Sequence, residues 1–221
     1  MWLSKKIIPS PYDEIADFKN GVFHFNFSQS VKWLERWGKN IFGPHFRVYP
    51  EDRKLLFTLL VYAIGDKDTA NSCGIDMGKG ILITGPVGTG KTSLMTLVNF
   101  FFPKEMQYQI KSARETSFEF EQEGYKIITK YSQAASAPAI FCFDDLGIEQ
   151  PQKYFGNQCN VMAEILLSRY DLFVSKRVLT HATTNLSATE LESKFGNRVR
   201  SRMREMFNLV AFDKHSKDKR S

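Results

Sequence analysis

The run Gly85-Pro86-Val87-Gly88-Thr89-Gly90-Lys91-Thr92 fits G-x-x-x-x-G-K-[ST] at every fixed position, and it limits the fold more than any other stretch. Its flanks agree with it. Gly80 to Thr84 is short, apolar and β-branched, which predicts a buried strand. Ser93 to Phe101 reads as a helix that stops before Pro103. Glycines between a strand and a helix let successive N–H groups aim at one point, and the helix start adds its positive dipole end. Such a turn is an anion cradle. Gly85, Pro86, Val87, Gly88, Thr89, Gly90, Lys91, Thr92 and Ser93 are therefore the candidate nucleotide contacts. Lys91 would place a point charge on the β- and γ-phosphates, and Thr92 would offer its hydroxyl to Mg²⁺. A glycine-rich turn with a chance lysine is the bland alternative, and the strand and helix on either side argue against it.

A chain of 221 residues suits one α/β domain with a small N-terminal attachment. The apolar share, with 19 Phe, suffices for a full core. No apolar run approaches the roughly 20 residues of a membrane helix. The opening Met1-Trp2-Leu3-Ser4-Lys5-Lys6-Ile7-Ile8-Pro9 has too short an apolar segment for a signal peptide. Cys73, Cys142 and Cys159 form no C-x-x-C pair and no metal spacing, so a reducing cytoplasm is expected. The formal charge of +6 favours an anionic partner, although a nucleotide site or a mildly basic surface needs some of it anyway.

Ahead of the loop, Met1 to Asn20 reads as an arm or linker. Ser30 is placed to cap a helix carrying Val31, Trp33, Leu34, Trp37 and Ile41, ended by Gly38 and Gly43-Pro44. Trp33 and Trp37 suit base stacking, but that spacing favours a core face. A second helix is expected over 51–64 and a polar loop over 65–80. Past the loop, a strand is expected at 106–111 and a helix over 113–132, with Gly124 its weak point. A small-residue turn follows at 134–138. Alternating strands and helices predict a parallel sheet covered on both faces.

Ala139-Ile140-Phe141-Cys142-Phe143 is a continuous apolar strand ending in Asp144-Asp145. Carboxylates at that end of a buried parallel strand lie where open α/β sheets bind ligands, as in a Walker B motif. Asp144 is the candidate metal residue beside Thr92, and Asp145 the candidate that orients or deprotonates water. An acidic capping turn is the alternative. A helix over 160–174 leads to the strand 178–183, whose tip Thr184-Asn185 offers a polar side chain near the γ-phosphate. His181 within that strand reads as a core histidine. Ser187 and Glu190 fit a capping box. A basic helix follows, with Arg198 and Arg202 on one face and Arg200 and Arg204 read as solvated. A last strand is expected at 208–212, and a disordered charged tail from Lys214.

The motifs G-P-V-G-T-G-K-T-S-L at 85–94, F-C-F-D-D-L-G at 141–147, S-R-Y-D at 168–171 and the run from Thr183 to Met206 resemble the AAA+ ATPases. Within them they are similar to DnaC-type helicase loaders and IstB-type transposition ATPases. The resemblance covers roughly Gly80 to Phe212 and implies a P-loop NTPase of α/β class with no C-terminal lid; the expected division of the chain is a small helical N-terminal extension over 1–65, an ATPase core over 66–213 and a tail over 214–221. It also implies ATP with Mg²⁺, and catalysis by Lys91, Asp145, the sensor-1 residue Asn185 and the arginine finger Arg198. Arg202 is a second candidate contact between subunits, and Arg169 has no assigned role. A homo-oligomeric ring or spiral on ATP binding, single-stranded DNA and a helicase or transposase client are the implied partners. A small-molecule P-loop kinase and a nucleotide-gated interaction protein with negligible turnover are the competing readings.

Overall fold

The computed structural model of the chain describes residues 10–132 and 139–219, and a five-stranded parallel sheet lies at its centre. A short helix α1 (Tyr12–Ile15) leads into a hairpin of β1 (Ala16–Lys19) and β2 (Val22–Phe25). Helices α2 (Phe27–Phe42), α3 (Arg53–Ile64) and α4 (Lys67–Ser72) follow. Then come β3 (Gly80–Thr84), α5 (Lys91–Val98), β4 (Gln109–Ser112), α6 (Ala113–Glu123) and α7 (Lys126–Ser132). Next are β5 (Phe141–Asp144), a second hairpin of β6 (Gln152–Tyr154) and β7 (Asn157–Cys159), and α8 (Val161–Lys176). The chain closes with β8 (Thr180–Thr184), α9 (Ala188–Phe195), α10 (Asn197–Met206) and β9 (Phe207–Ala211).

The sheet order is β4-β5-β8-β3-β9, so β3 and β8 lie side by side at the centre. Alternation along each strand sends side chains to opposite faces. Ile81, Ile83 and Cys142 enter the core with α2, α3 and α5. Leu82, Phe141, Phe143 and Ala182 enter a second core with α6, α7, α8, α9 and α10. Both faces are therefore covered, as the near-continuous apolar strands required. The α2–α3 segment belongs to the first core. Trp33 is 2% exposed and meets Phe101 edge-on at 5.3 Å, and Trp37 packs beside it, so this pair is core.

Several sequence expectations are corrected. Residues 10–20 contain α1 and β1, the first strand of the first hairpin, rather than an arm; the rest of the expected arm and the 134–138 turn fall outside the described residues. Asn26, not Ser30, caps α2 by accepting from Gln29 N–H at 3.1 Å, and Gly38 lies inside the helix. The 65–80 loop contains α4, capped by Asp66. The second strand starts at Gln109, since Lys104–Met106 is a 3₁₀ turn. The β6–β7 hairpin, its tip Phe155 in the left-handed region at φ 47° and 90% exposed, has no periodic signature in the sequence. The α6–α7 break does fall at Gly124, and Ser187 and Glu190 form the expected capping box.

β8 is a central strand built largely of polar residues, and although Thr suits a strand, burying polar groups is costly unless they are paired. Each buried polar side chain there makes at least one hydrogen bond, while His181 Nε2 has no partner among the described residues. Thr180 Oγ1 accepts from Arg169 Nε at 2.9 Å, and His181 Nδ1 accepts from Ile81 N–H at 3.1 Å. Thr183 and Thr184 bond to the loop after β5. The approach is close enough that a Cβ at Gly80 would collide with the Thr180 carbonyl. Among the described residues no helix is long and apolar enough to cross a membrane. No helix follows β9 among them either.

Candidate functional site

Three parallel strands, β3, β5 and β8, deliver their C-terminal ends to one place. Register aligns Thr84 with Thr184 across β3 and β8, and Ser112 with Asp144 across β4 and β5. The turn after β3 is the glycine loop. Gly88 and Gly90 sit at φ 79° and 89°, conformations that L side chains rarely adopt, and α5 starts at Lys91. Thr89 and Lys91 are buried. Lys91 Nζ donates to the carbonyls of Gly85 at 2.9 Å and Pro86 at 2.8 Å, and Thr89 Oγ1 donates to Pro86 O at 3.0 Å. These contacts brace the loop from beneath.

Thr92 Oγ1 donates to the Asp144 carboxylate at 2.9 and 3.0 Å. Thr183 Oγ1 donates to Asp144 Oδ1 at 2.6 Å and accepts from the Asp145 N–H at 2.9 Å. Asp145 occupies the left-handed region at φ 54°, which Asp tolerates better than most residues. Leu146 N–H continues the link to Thr183 O at 2.8 Å, and Thr184 Oγ1 donates to Leu146 O at 2.6 Å. The β5 and β8 tips are thus laced together, and both Asp145 and Asn185 face a cavity of about 260 Å³. Lys91, Thr92 and Ser93 line the same cavity. Asn185 Oδ1 is buried and has no hydrogen-bond partner among the described residues. A buried acceptor left without a partner costs stability unless a ligand or water meets it.

The donor set suits a magnesium nucleotide. A hydroxyl and a carboxylate held together are hard oxygen donors, which Mg²⁺ prefers. No group of three His, Cys, Asp or Glu side chains capable of holding a metal exists among the described residues. The remaining positions around such an ion would fall to phosphate and water oxygens, which is how Mg²⁺ is commonly held.

The far wall of the cavity comes from a segment that carried no recognised motif. Phe42 at the end of α2 and His45, Phe46, Val48 and Tyr49 between α2 and α3 line it, with Asp52 beside them. Their aromatic and apolar surfaces suit a base. The signal available in the sequence was only an aromatic-rich loop after a helix. Thr183 was likewise unassigned, although its position opposite Asp144 follows once β5 and β8 are adjacent.

Arg198 lies apart. It is exposed in the first turn of α10 and does not line the cavity. Arg202 stacks its guanidinium 4.8 Å above the Tyr170 ring, whose hydroxyl donates to Glu205 at 2.8 Å. Arg169 turns out to be a core residue, 1% exposed. It donates to Leu179 O at 2.6 Å and Ala139 O at 3.0 Å as well as to Thr180, and burial pushes its pKa down to about 10. His181 is also fully buried; burial, and behind it the Arg169 charge, push its pKa down to about 3. A neutral imidazole that accepts from Ile81 has a structural place, as its isolation in the sequence suggested.

Comparison with known proteins agrees with this fold. The family model "ATPase family associated with various cellular activities (AAA)" matches residues 81–209, more than half of the chain. No curated protein matches. Among solved structures, the DnaC helicase loader is 22% identical, with 62% of this chain and 79% of that chain covered at a TM-score of 0.47. A candidate primosome component from Streptococcus pyogenes serotype M3 is 15% identical, covering 76% and 83%, at a TM-score of 0.52. The replication initiator DnaA bound to AMPPCP and single-stranded DNA is 17% identical, covering 77% and 49%, at a TM-score of 0.52. At these identities the likeness is one of fold. With a parallel sheet, a glycine loop and two laced strand tips inside the matched span, the chain belongs to the AAA family of ATPases.

Proposed function

We propose that this chain is an ATP-hydrolysing switch that assembles on single-stranded DNA and a protein client, a helicase or a transposase. The orphaned Asn185 oxygen carries the reading. Asn185 lines the cavity that also holds Lys91, Thr92 and Asp145, where a water poised against a γ-phosphate would need an acceptor. Gly85 to Ser93 wrap the phosphates of ATP, with Lys91 supplying positive charge. Thr92 and Asp144 would hold Mg²⁺, which would supply charge neutralisation to the phosphates. Asp145 and Asn185 orient water. Arg198, exposed and away from its own cavity, reaches the nucleotide of a neighbouring copy in a ring or spiral.

The DNA and client parts of this reading rest on the +6 charge, on the likeness of the run 183–206 to loaders, and on the exposed β6–β7 tip. There Tyr154 and Phe155 meet edge-on at 4.6 Å next to Lys153, a combination that suits base stacking and phosphate attraction. Division at about residue 65 into an extension and an ATPase core, and a cytoplasmic setting for a chain whose three cysteines are free, belong to the same proposal.

The test measures ATP turnover with and without single-stranded DNA, together with the particle mass in a non-hydrolysable ATP analogue. Turnover per subunit is expected to rise with protein concentration or DNA, and the mass to increase with the analogue. A monomer that passes phosphate to a small metabolite would replace this reading with a kinase. Unchanged ATP affinity in Lys91→Ala would remove the nucleotide site itself.

A further inference from the structure

The chain does not leave the molecule after β9. Phe212 N–H donates to Thr84 O at 2.8 Å, Asp213 turns the chain by accepting from His215 and Ser216, and residues 214–219 run back over the glycine loop. The sequence expectation of a disordered tail is corrected for these residues. Lys219 is the anchor. Its N–H donates to Gly88 O at 3.0 Å, and its ammonium pairs with the Asp52 carboxylate and reaches Thr89 O at 3.3 Å. It also lies 5.1 Å from the Tyr49 ring and 4.9 Å from the Phe212 ring. Both members of the Lys219–Asp52 pair are nearly enclosed, at 13% and 9% side-chain exposure, so salt screens the pair little.

The anchor places its neighbour on the phosphate loop. A Cβ at Gly88 would overlap the Asp218 carboxylate, so that carboxylate rests directly on the loop. Loops of this kind collect amide N–H groups to receive an anion. An acidic side chain there meets the same need that a phosphate would. Two anions cannot share one such site at low cost, because like charges at contact distance repel by about 4 kcal/mol near a protein surface.

We propose that residues 213–219 form a strap that competes with nucleotide for the glycine loop, with Asp218 standing in for a phosphate and Lys219 as the latch on Asp52. The strap rests on the nucleotide site proposed above and adds a regulatory step to it. ATP binds only to the open form, so the apparent affinity falls by the open fraction. A strap closed nine times in ten weakens binding about tenfold. Nucleotide in turn releases the tail.

Affinity for a fluorescent ATP analogue is measured in the full chain, in Asp218→Asn, and in a chain ending at Asp213, with thermal melts to check that each is folded. Both variants are expected to bind more tightly, the shortened one by about tenfold. Trypsin is expected to cut at Lys214 and Lys217 faster in saturating analogue than without it. Binding by either folded variant at or below the affinity of the full chain overturns the strap, as does a tail cut equally fast in both conditions. If the full chain and both variants bind no nucleotide, the proposed ATP site falls and the strap falls with it. Binding that ignores the tail removes the strap alone.

Discussion

The Thr183 hydroxyl donates to Asp144 Oδ1 at 2.6 Å and accepts from the Asp145 backbone at 2.9 Å. One side chain on β8 thereby sets the orientation of the metal-binding candidate and the turn that carries the water-orienting candidate. Thr183→Val keeps the shape and removes the hydroxyl. It is expected to destabilise the fold by about 1–3 kcal/mol, because Asp145 N–H loses its acceptor. ATP binding should stay within a few-fold of wild type while turnover drops at least about tenfold, as small misplacements of catalytic groups are costly. Wild-type turnover in Thr183→Val would show that this link does not position the site.

Arg198 sits in the first turn of α10, outside its own cavity. Arg198→Ala is expected to preserve ATP affinity and to lower turnover by about 10³–10⁵-fold, the range supplied by arginine fingers. Mixing Arg198→Ala with Lys91→Ala subunits should restore part of the activity, since each supplies what the other lacks. No restoration, with both variants folded and assembled, removes the contact between subunits.

Arg169 ties α8 to the start of β8 and to the chain entering β5 through buried donors. It has no carboxylate partner among the described residues, so carbonyl and hydroxyl dipoles and the Phe141 ring, 5.3 Å from its guanidinium, compensate its charge. Arg169→Met should cost about 3 kcal/mol or more, because several buried acceptors lose their donor at once. Arg169→Lys should recover little, since an ammonium does not reproduce the fork. Urea unfolding of the three proteins checks this, and a cost under about 1 kcal/mol for Arg169→Met would contradict it.

His181 gives stability a pH dependence of known sign. Its folded pKa lies near 3, below the ordinary value of 6.5, so the unfolded chain binds the extra proton between these limits. Stability from this residue is complete above about pH 6.5 and is lost as pH falls, by up to about 1.4 kcal/mol per pH unit. His181→Asn, which keeps an acceptor for Ile81 N–H, should flatten the stability profile between pH 6.5 and 4. Parallel profiles for the two proteins would rule out this source.

Much of the candidate site was legible in sequence because its signals are local. Glycine spacing, a β-branched run before it and a helix after it define the loop at 85–92 without reference to anything distant. The apolar run into Asp144-Asp145 and the polar tip Thr184-Asn185 are similarly self-contained, and alternation of strands with helices implies a parallel sheet. What only the tertiary structure decided are contacts between segments that share no period. The cavity wall at 42–49, the Thr183 link, the buried role of Arg169 and the return of Lys219 to Asp52 are of this kind. The last joins residues 167 positions apart. Such pairings are set by sheet order and by where a loop happens to lie, and hydrophobic periodicity carries no trace of them.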